Sequence, residues 1–248
     1  MKTIYTFAPI SLTEMDSVAL LNRTDTKFVF HRAKLNEILL QAKQSYRVLE
    51  IQQMRYADYD TNYFDTDNYK FYYDHHNRRP ARYKVRMRSY VNSELHFFEI
   101  KYKSNQNRTV KSRIKIPKQE NEITGNAAEL LKKVIGISPD LLKKSIQIKC
   151  KRTTLVNRQL TERVTIDFDM QYYINGAWHS YPDVIIIELK QDKSRKSKFL
   201  KIMCSQHLHS VSLSKYSFGI ANFIPGIKNN NFKTQILFVN KLCNNHAI

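Results

Sequence analysis

The sequence predicts an α+β fold: a closed antiparallel β-barrel with a charged lumen and helices packed outside. Two observations lead there. Cations fall on every second residue of Arg82-Tyr-Lys84-Val-Arg86-Met-Arg88-Ser-Tyr90, and the spacing recurs with Glu99, Lys101 and Lys103, then with Lys111, Arg113 and Lys115. In extended chain such residues share one face, so three neighbouring strands offer a continuous basic surface. Apolar residues occupy the opposite faces and the stripes of intervening helices, which places helices outside and charges inside.

The elements follow in order. Lys27-Phe-Val-Phe30 reads as a short strand, and Leu35, Ile38, Leu39 and Ala42 give residues 32–44 an amphipathic helical period. Tyr59 to Asp65 reads as a strand, His75-His76 as part of a turn, and the three basic strands come next, joined by polar turns. Asn121 to Ser145 reads as helix in two pieces, broken by Gly136 and Pro139. Strands return at Ile146–Val156, Arg163–Tyr173 and Asp183–Lys190, with Trp178 at a hairpin tip beside Asn175-Gly176. These carry Arg152; Arg163, Asp167 and Asp169; and Glu188 with Lys190. Asp167 and Asp169 are expected to pair with arginines in the lumen. Ser194–Ser210, Lys215–Phe223 and Asn229–Leu242 read as closing helices. One domain over 1–248 is expected, with its core at about 23–223, because no repeat or low-complexity linker interrupts the chain.

Composition narrows the partner. Forty-one Lys plus Arg against 22 Asp plus Glu leave a net charge of +19 over 248 residues, which calls for a polyanion. Interspersed carboxylates suit a compact one that brings its own metal ion, such as a chain of phosphates. The five glycines are too scattered for a phosphate-cradling loop or a dinucleotide fingerprint, so side chains must do the gripping. Three widely spaced cysteines provide neither a disulfide framework nor a zinc pair and fit a reducing cytoplasm. Cys204, His207 and His209 are poorly spaced for joint ligation. No stretch approaches the ~20 apolar residues of a spanning helix. Nucleic acid is disfavoured: the 15 tyrosines lack any accompanying RNA-binding signature.

A series of short pieces then carries a resemblance. Arg23-Thr-Asp-Thr-Lys27-Phe, Tyr63-Phe-Asp-Thr66, Lys84-Val-Arg86-Met-Arg88, Glu99-Ile-Lys101, Val110-Lys111-Ser-Arg113, Lys151-Arg152-Thr, Arg163-Val-Thr-Ile-Asp167, Ile187-Glu188-Leu-Lys190 and Ser214-Lys215-Tyr216 occur in one order. That order resembles the catalytic domain of the vacuolar transporter chaperone (VTC) polyphosphate polymerases, in the triphosphate tunnel metalloenzyme superfamily, also called CYTH-like. The resemblance implies a metal-dependent phosphotransferase that moves the γ-phosphate of ATP onto a growing polyphosphate chain, with pyrophosphate as primer. It implies catalytic roles for Lys27, Arg86, Arg88, Lys101 and Lys111, and phosphate binding by Arg152, Arg163, Lys190, Ser214 and Lys215. Manganese or magnesium is expected on Glu188, with Glu99 as a weaker second ligand.

The chain departs from the superfamily at its start. Where the triphosphatase and cyclase branches typically carry Glu-x-Glu-x-Lys, this chain has Arg23-Thr-Asp25-Thr-Lys27. Loss of the first carboxylate disfavours a two-metal hydrolytic site and leaves Asp25 a position behind the ligands. Only 22 residues precede this motif, and no membrane segment follows it, so a stand-alone bacterial-type domain is expected, with any membrane partner separate. Two other functions remain in view: a metal-dependent tripolyphosphate or nucleoside triphosphate hydrolase, and a non-catalytic polyanion binder. Removing Arg86 or Arg88 is expected to leave the fold intact or more stable, since each relieves repulsion.

Overall fold

The computed structural model of the chain describes residues 2–16, 23–106, 108–192 and 196–244. In chain order the elements are β1 (Ala8–Ile10), α1 (Leu12–Asp16), β2 (Arg23–His31), α2 (Leu35–Ala42), β3 (Tyr46–Leu49), β4 (Ala57–Asp65), α3 (Lys70–His76), β5 (Arg82–Tyr90), β6 (Leu95–Lys103), β7 (Thr109–Ile116), α4 (Gly125–Ile135), β8 (Lys143–Asn157), β9 (Glu162–Ile174), β10 (Ala177–Tyr181), β11 (Val184–Asp192), α5 (Lys198–Ser205), α6 (Lys215–Phe223) and α7 (Lys233–Asn244). The expected start of the first closing helix, at Ser194, lies outside the described residues.

The strands form one 11-stranded sheet whose main path runs β2-β11-β9-β8-β4-β5-β6-β7. Along that path every pairing is antiparallel. Hairpin strand β10 joins β9, β3 joins β8, and β1 lies parallel to β3. The path is open, which corrects the expected closed barrel: β2 and β7 stand at its ends, and no pairing between them occurs among the described residues. Both edges are basic, with Lys27 on one and Lys111, Arg113 and Lys115 on the other, and facing like charges oppose strand pairing.

Alternation sorts the faces as the sequence requires. Phe28, Phe30, Leu155, Val164, Ile166, Ile185, Ile187 and Leu189 pack under Leu35, Ile38 and Leu39 of α2 and Phe199 and Met203 of α5. Val85, Met87, Phe98 and Ile100 pack with Ala127 and Leu131 of α4. These helices lie outside, as expected. Helix α6 does not: its Tyr216, Phe218 and Ile220 pack on Val29, Tyr63, Ile146, Ile148, Tyr172 and Ile186. Val29 and Ile186 share their strand faces with Lys27 and Glu188, so α6 fills part of the charged side. Its approach is close, since a Cβ on Gly219 would meet Ile146 Cδ1 at 2.4 Å.

Four local expectations change. Asp169 adopts a left-handed φ of 51° where the β8–β9 register shifts between Lys149 and Lys151. This bulge reverses the alternation of β9. Asp167 therefore faces the concave side, whereas Asp169 pairs with Arg32 at 2.9 Å and Lys151 at 3.4 Å. The second helical piece before Ser145 shrinks to a 3₁₀ turn at Pro139–Leu141, because Lys143 and Lys144 already pair with β4. His75 and His76 end helix α3 rather than forming a turn. Trp178 lies on β10, two residues past the left-handed Asn175-Gly176 turn.

Candidate functional site

Cross-strand register assembles the site from rows. Lys84, Lys101 and Lys111 stand opposite one another across β5, β6 and β7; Arg86, Glu99 and Arg113 form the next row, and Arg88, Phe97 and Lys115 the third. Cations in such rows repel unless something neutralises them. Glu99 is the internal counter-ion: fully buried, it accepts from Arg86 Nε at 2.7 Å and lies 2.6 Å from Arg86 Nη2, 4.0 Å from Arg88 and 3.6 Å from Arg113, with Lys111 also in contact. Burial alone would raise its pKa, but Arg86, Arg88 and Lys111 reverse that and hold the carboxyl far below the usual range.

Asp167 is the second counter-ion. Arg152 donates to it in a fork, from Nε at 2.5 Å and Nη2 at 2.7 Å, and Lys215 at the start of α6 also contacts it. Lys215 Nζ lies 3.4 Å from Cys150 Sγ as well. Glu188 is the third, and it differs. Its side chain is 25% exposed, with Lys190 at 3.3 Å. Burial opposes its ionisation, yet Lys190, Lys27, Arg152 and Lys101 bring its pKa down to about 2.

Links across the concave side show how far the sheet curls. Lys84 donates to Ser214 Oγ at 2.8 Å, and Lys27 donates to the Leu213 carbonyl at 3.1 Å. Lys84 is brought down to about 7 by burial and by Lys27, Arg86 and Arg82. Lys101 falls to about 6, chiefly through Arg86, then burial and Arg88, against partial support from Glu188. Lys27 and Glu188 belong to β2 and β11, at the far end of the strand order, so both sheet ends face the same concave side. Arg88 Nε and Arg163 Nε are buried donors with no acceptor. Buried N–H groups normally have partners, and a bound anion would supply an acceptor here.

The concave side thus gathers Lys27, Arg86, Arg88, Lys101, Lys111, Arg152, Glu188, Lys190, Ser214 and Lys215, with Arg163 opposite Lys190 on the neighbouring strand. Lys84, Arg113 and Tyr63 belong with them although they were not singled out as site residues. The first two follow from the same alternation; Tyr63, which accepts from Arg86 Nη1 at 3.1 Å, follows only from the register of β4. His75 also joins: burial, Lys84, Arg82, Lys103 and Lys27 push its pKa down to about 2.

A divalent ion fits one carboxylate. Among the described residues no group of three His, Cys, Asp or Glu could hold a metal. Magnesium and manganese, however, take few protein ligands when phosphates and water complete the shell. Glu188, partly accessible, suits that role. Glu99, expected as a weaker second ligand, differs in having Arg86, Arg88, Lys111 and Arg113 around its carboxylate.

Two solved structures share this fold. A Bacillus halodurans protein described as a candidate adenylate cyclase aligns with a TM-score of 0.55 at 14% identity, covering 82% of this chain and 97% of its own. An adenylyl cyclase candidate from Hippeastrum, described as having a dominant triphosphatase activity, aligns with a TM-score of 0.54 at 10% identity, covering 81% and 97%. The chain belongs to the VTC domain family, whose model it matches over residues 22–224. No curated protein matches the sequence.

Proposed function

We propose that this chain is a polyphosphate polymerase-like phosphotransferase working in a basic tunnel. The observation that carries the reading is the convergence of Lys27, Lys84, Arg86, Arg88 and Lys101 on one space, with two lysines held far below their ordinary pKa. A phosphate chain supplies the missing negative charge at every row. Membership of the VTC domain family and the fold shared with the Hippeastrum protein support it.

In the reaction, a terminal oxygen of the acceptor chain attacks the γ-phosphorus of ATP in line. The new P–O bond forms as the bond to the β–γ bridging oxygen breaks, and ADP leaves. The acceptor is already ionised near neutral pH, so no strong base is required. Arg88, Arg86 and Lys101 line the phosphates of the donor, Arg86 with the N–H groups that Glu99 and Tyr63 leave over, while Lys27, Lys111, Arg152, Arg163, Lys190, Ser214 and Lys215 hold the rest of the chain. Glu188 would hold manganese or magnesium, which supplies charge neutralisation on the bridging phosphates.

Among the described residues no helix is long and apolar enough to cross a membrane. The free cysteines fit action in a reducing cytoplasm. The test is incubation of the pure chain with ATP, manganese and pyrophosphate, followed by gel resolution of the products. Metal-dependent growth of long phosphate chains is expected. Orthophosphate release without chain growth would mean a hydrolase, and retention of polyphosphate without turnover would mean a binder.

A further inference from the structure

At the Tyr90 end of β5 the lining changes from cations to flat groups. Tyr90 follows Arg86 and Arg88 on the same strand face and stands opposite Tyr59 of β4, with ring centroids 4.8 Å apart. Phe97 of β6 lies 5.8 Å from Tyr90. The Arg113 guanidinium stacks on Phe97 at 3.4 Å and stands 5.9 Å from the Tyr90 ring. Arg88 and Arg152 flank Tyr59 at 5.3 and 4.8 Å. Among the described residues the inward face of the Arg82 end carries no such group: Lys103 and Thr109 continue the row there, and the stacked Tyr83–Tyr102 pair lies on the opposite face.

The arrangement has two features of a stacking platform. Tyr59, Tyr90 and Phe97 are all half-buried, leaving part of each ring open. The Arg113 side chain, 37% exposed, lies against Phe97 and within 3.6 Å of Glu99. Guanidinium planes and aromatic rings are the surfaces on which nucleobases stack. Alternate residues on a strand are ~7 Å apart, so Tyr90 stands one such step beyond Arg88, room for the ribose between a base and its α-phosphate. The buried, unpartnered Arg88 Nε, at the junction, is placed to meet that first phosphate.

We propose that Tyr90, Tyr59 and Phe97, together with the Arg113 guanidinium stacked on Phe97, form a base-stacking subsite for a nucleoside triphosphate whose phosphates lie on Arg88, Arg86 and Lys101. This rests on the phosphate-binding reading above and gives the tunnel a direction: the nucleoside enters at the Tyr90 end, and phosphate extends towards Lys84 and Arg82. The subsite stacks rather than pairs, so it accepts any base.

The test is calorimetric titration of the full chain with two probes in magnesium: the β,γ-imido analogue of ATP, and inorganic tripolyphosphate. Tyr90→Leu and Phe97→Leu are each expected to weaken the nucleotide analogue about fivefold or more while moving tripolyphosphate less than about twofold, given the usual strength of base–aromatic stacking. Tyr90→Trp is expected to retain wild-type affinity for both. Retained tripolyphosphate affinity also reports that each variant is folded. Equal losses for the two probes, or no loss for either, would overturn the subsite and leave the phosphate site standing. If the wild-type chain binds neither probe, the phosphate-binding reading itself falls, and the subsite with it.

Discussion

Lys84 donates to the Ser214 hydroxyl at 2.8 Å, so a strand in the middle of the basic sheet is tied to the first turn of α6. This contact helps enclose the charged space without strand pairing between the sheet edges. Ser214 also caps α6, accepting from the Ser217 N–H at 3.3 Å. Ser214→Ala therefore removes a helix cap and an inter-element tie together. A loss of about 0.5–2 kcal/mol is expected for the cap alone, seen as a melting temperature lower by a few degrees. Ser214→Thr should recover most of it, and an unchanged melting curve for the alanine variant would contradict the assignment.

Arg86 and Arg88 look equivalent in the sequence, and the structure separates them. Arg86 bonds Glu99 and Tyr63 and is buried, whereas Arg88 lies 4.0 Å from Glu99 and keeps a buried Nε without an acceptor. Arg88→Ala is expected to leave the chain as stable or slightly more stable, because repulsion falls and little bonding is lost. Arg86→Ala should cost on the order of 3–5 kcal/mol, the usual result of removing one partner of a buried pair. Denaturant midpoints of both variants check this. Both should lose phosphotransfer, which separates the shared chemical role from the unequal structural one.

The carboxylates divide in the same way. Glu99→Gln replaces an acceptor gripped by Arg86, Lys111 and Arg113 and leaves those cations facing one another. A severely destabilised or unfolded chain is expected, rescued in part by tripolyphosphate. Glu188→Gln loses the contact with Lys190 at 3.3 Å and the attraction of Lys27, Arg152 and Lys101, so it should melt lower than wild type but remain folded, unlike the Glu99 variant. It should, however, abolish the manganese dependence of ATP turnover. Full manganese-stimulated turnover in the Glu188 variant would remove it from the proposed metal site.

Much of this was legible from alternation alone. Arg86, Lys101 and Glu188 face inward because a strand repeats every two residues, and four apolar positions of residues 32–44 placed α2, all of them buried. Where one residue broke the period, reading failed. Asp169 lies beyond a bulge set by its own left-handed backbone, which no pattern signals, so the sequence placed it beside Asp167. The contacts of Glu99 with Arg86, Lys111 and Arg113 are not legible either, because a carboxylate among cations looks the same in sequence whether it awaits a metal or bonds those cations. The invasion of the charged side by α6 depends on Gly219 permitting contact with Ile146 and Tyr172, a long-range fit outside any local window.

The lysines give the site a pH signature whose sign can be worked out. Lys84 is held at about 7 by burial and by Lys27, Arg86 and Arg82, and Lys101 at about 6 by Arg86, burial and Arg88, against an ordinary 10.5. An unfolded chain keeps both protonated through neutral pH, while the folded chain has lost the protons above about 7 and 6. The unfolded state therefore binds more protons in this window, so the contribution of these lysines to stability rises with pH from about 6 towards 10 and is at its least favourable below about 6. Bound phosphates reverse the repulsion and return the protons. Binding of tripolyphosphate near pH 9, where the ligand is ionised, is expected to take up protons, measured by calorimetry in buffers of different ionisation enthalpy. Lys84→Met should reduce the uptake. Zero uptake in the wild-type chain would mean that the bound phosphates do not lie against Lys84 and Lys101.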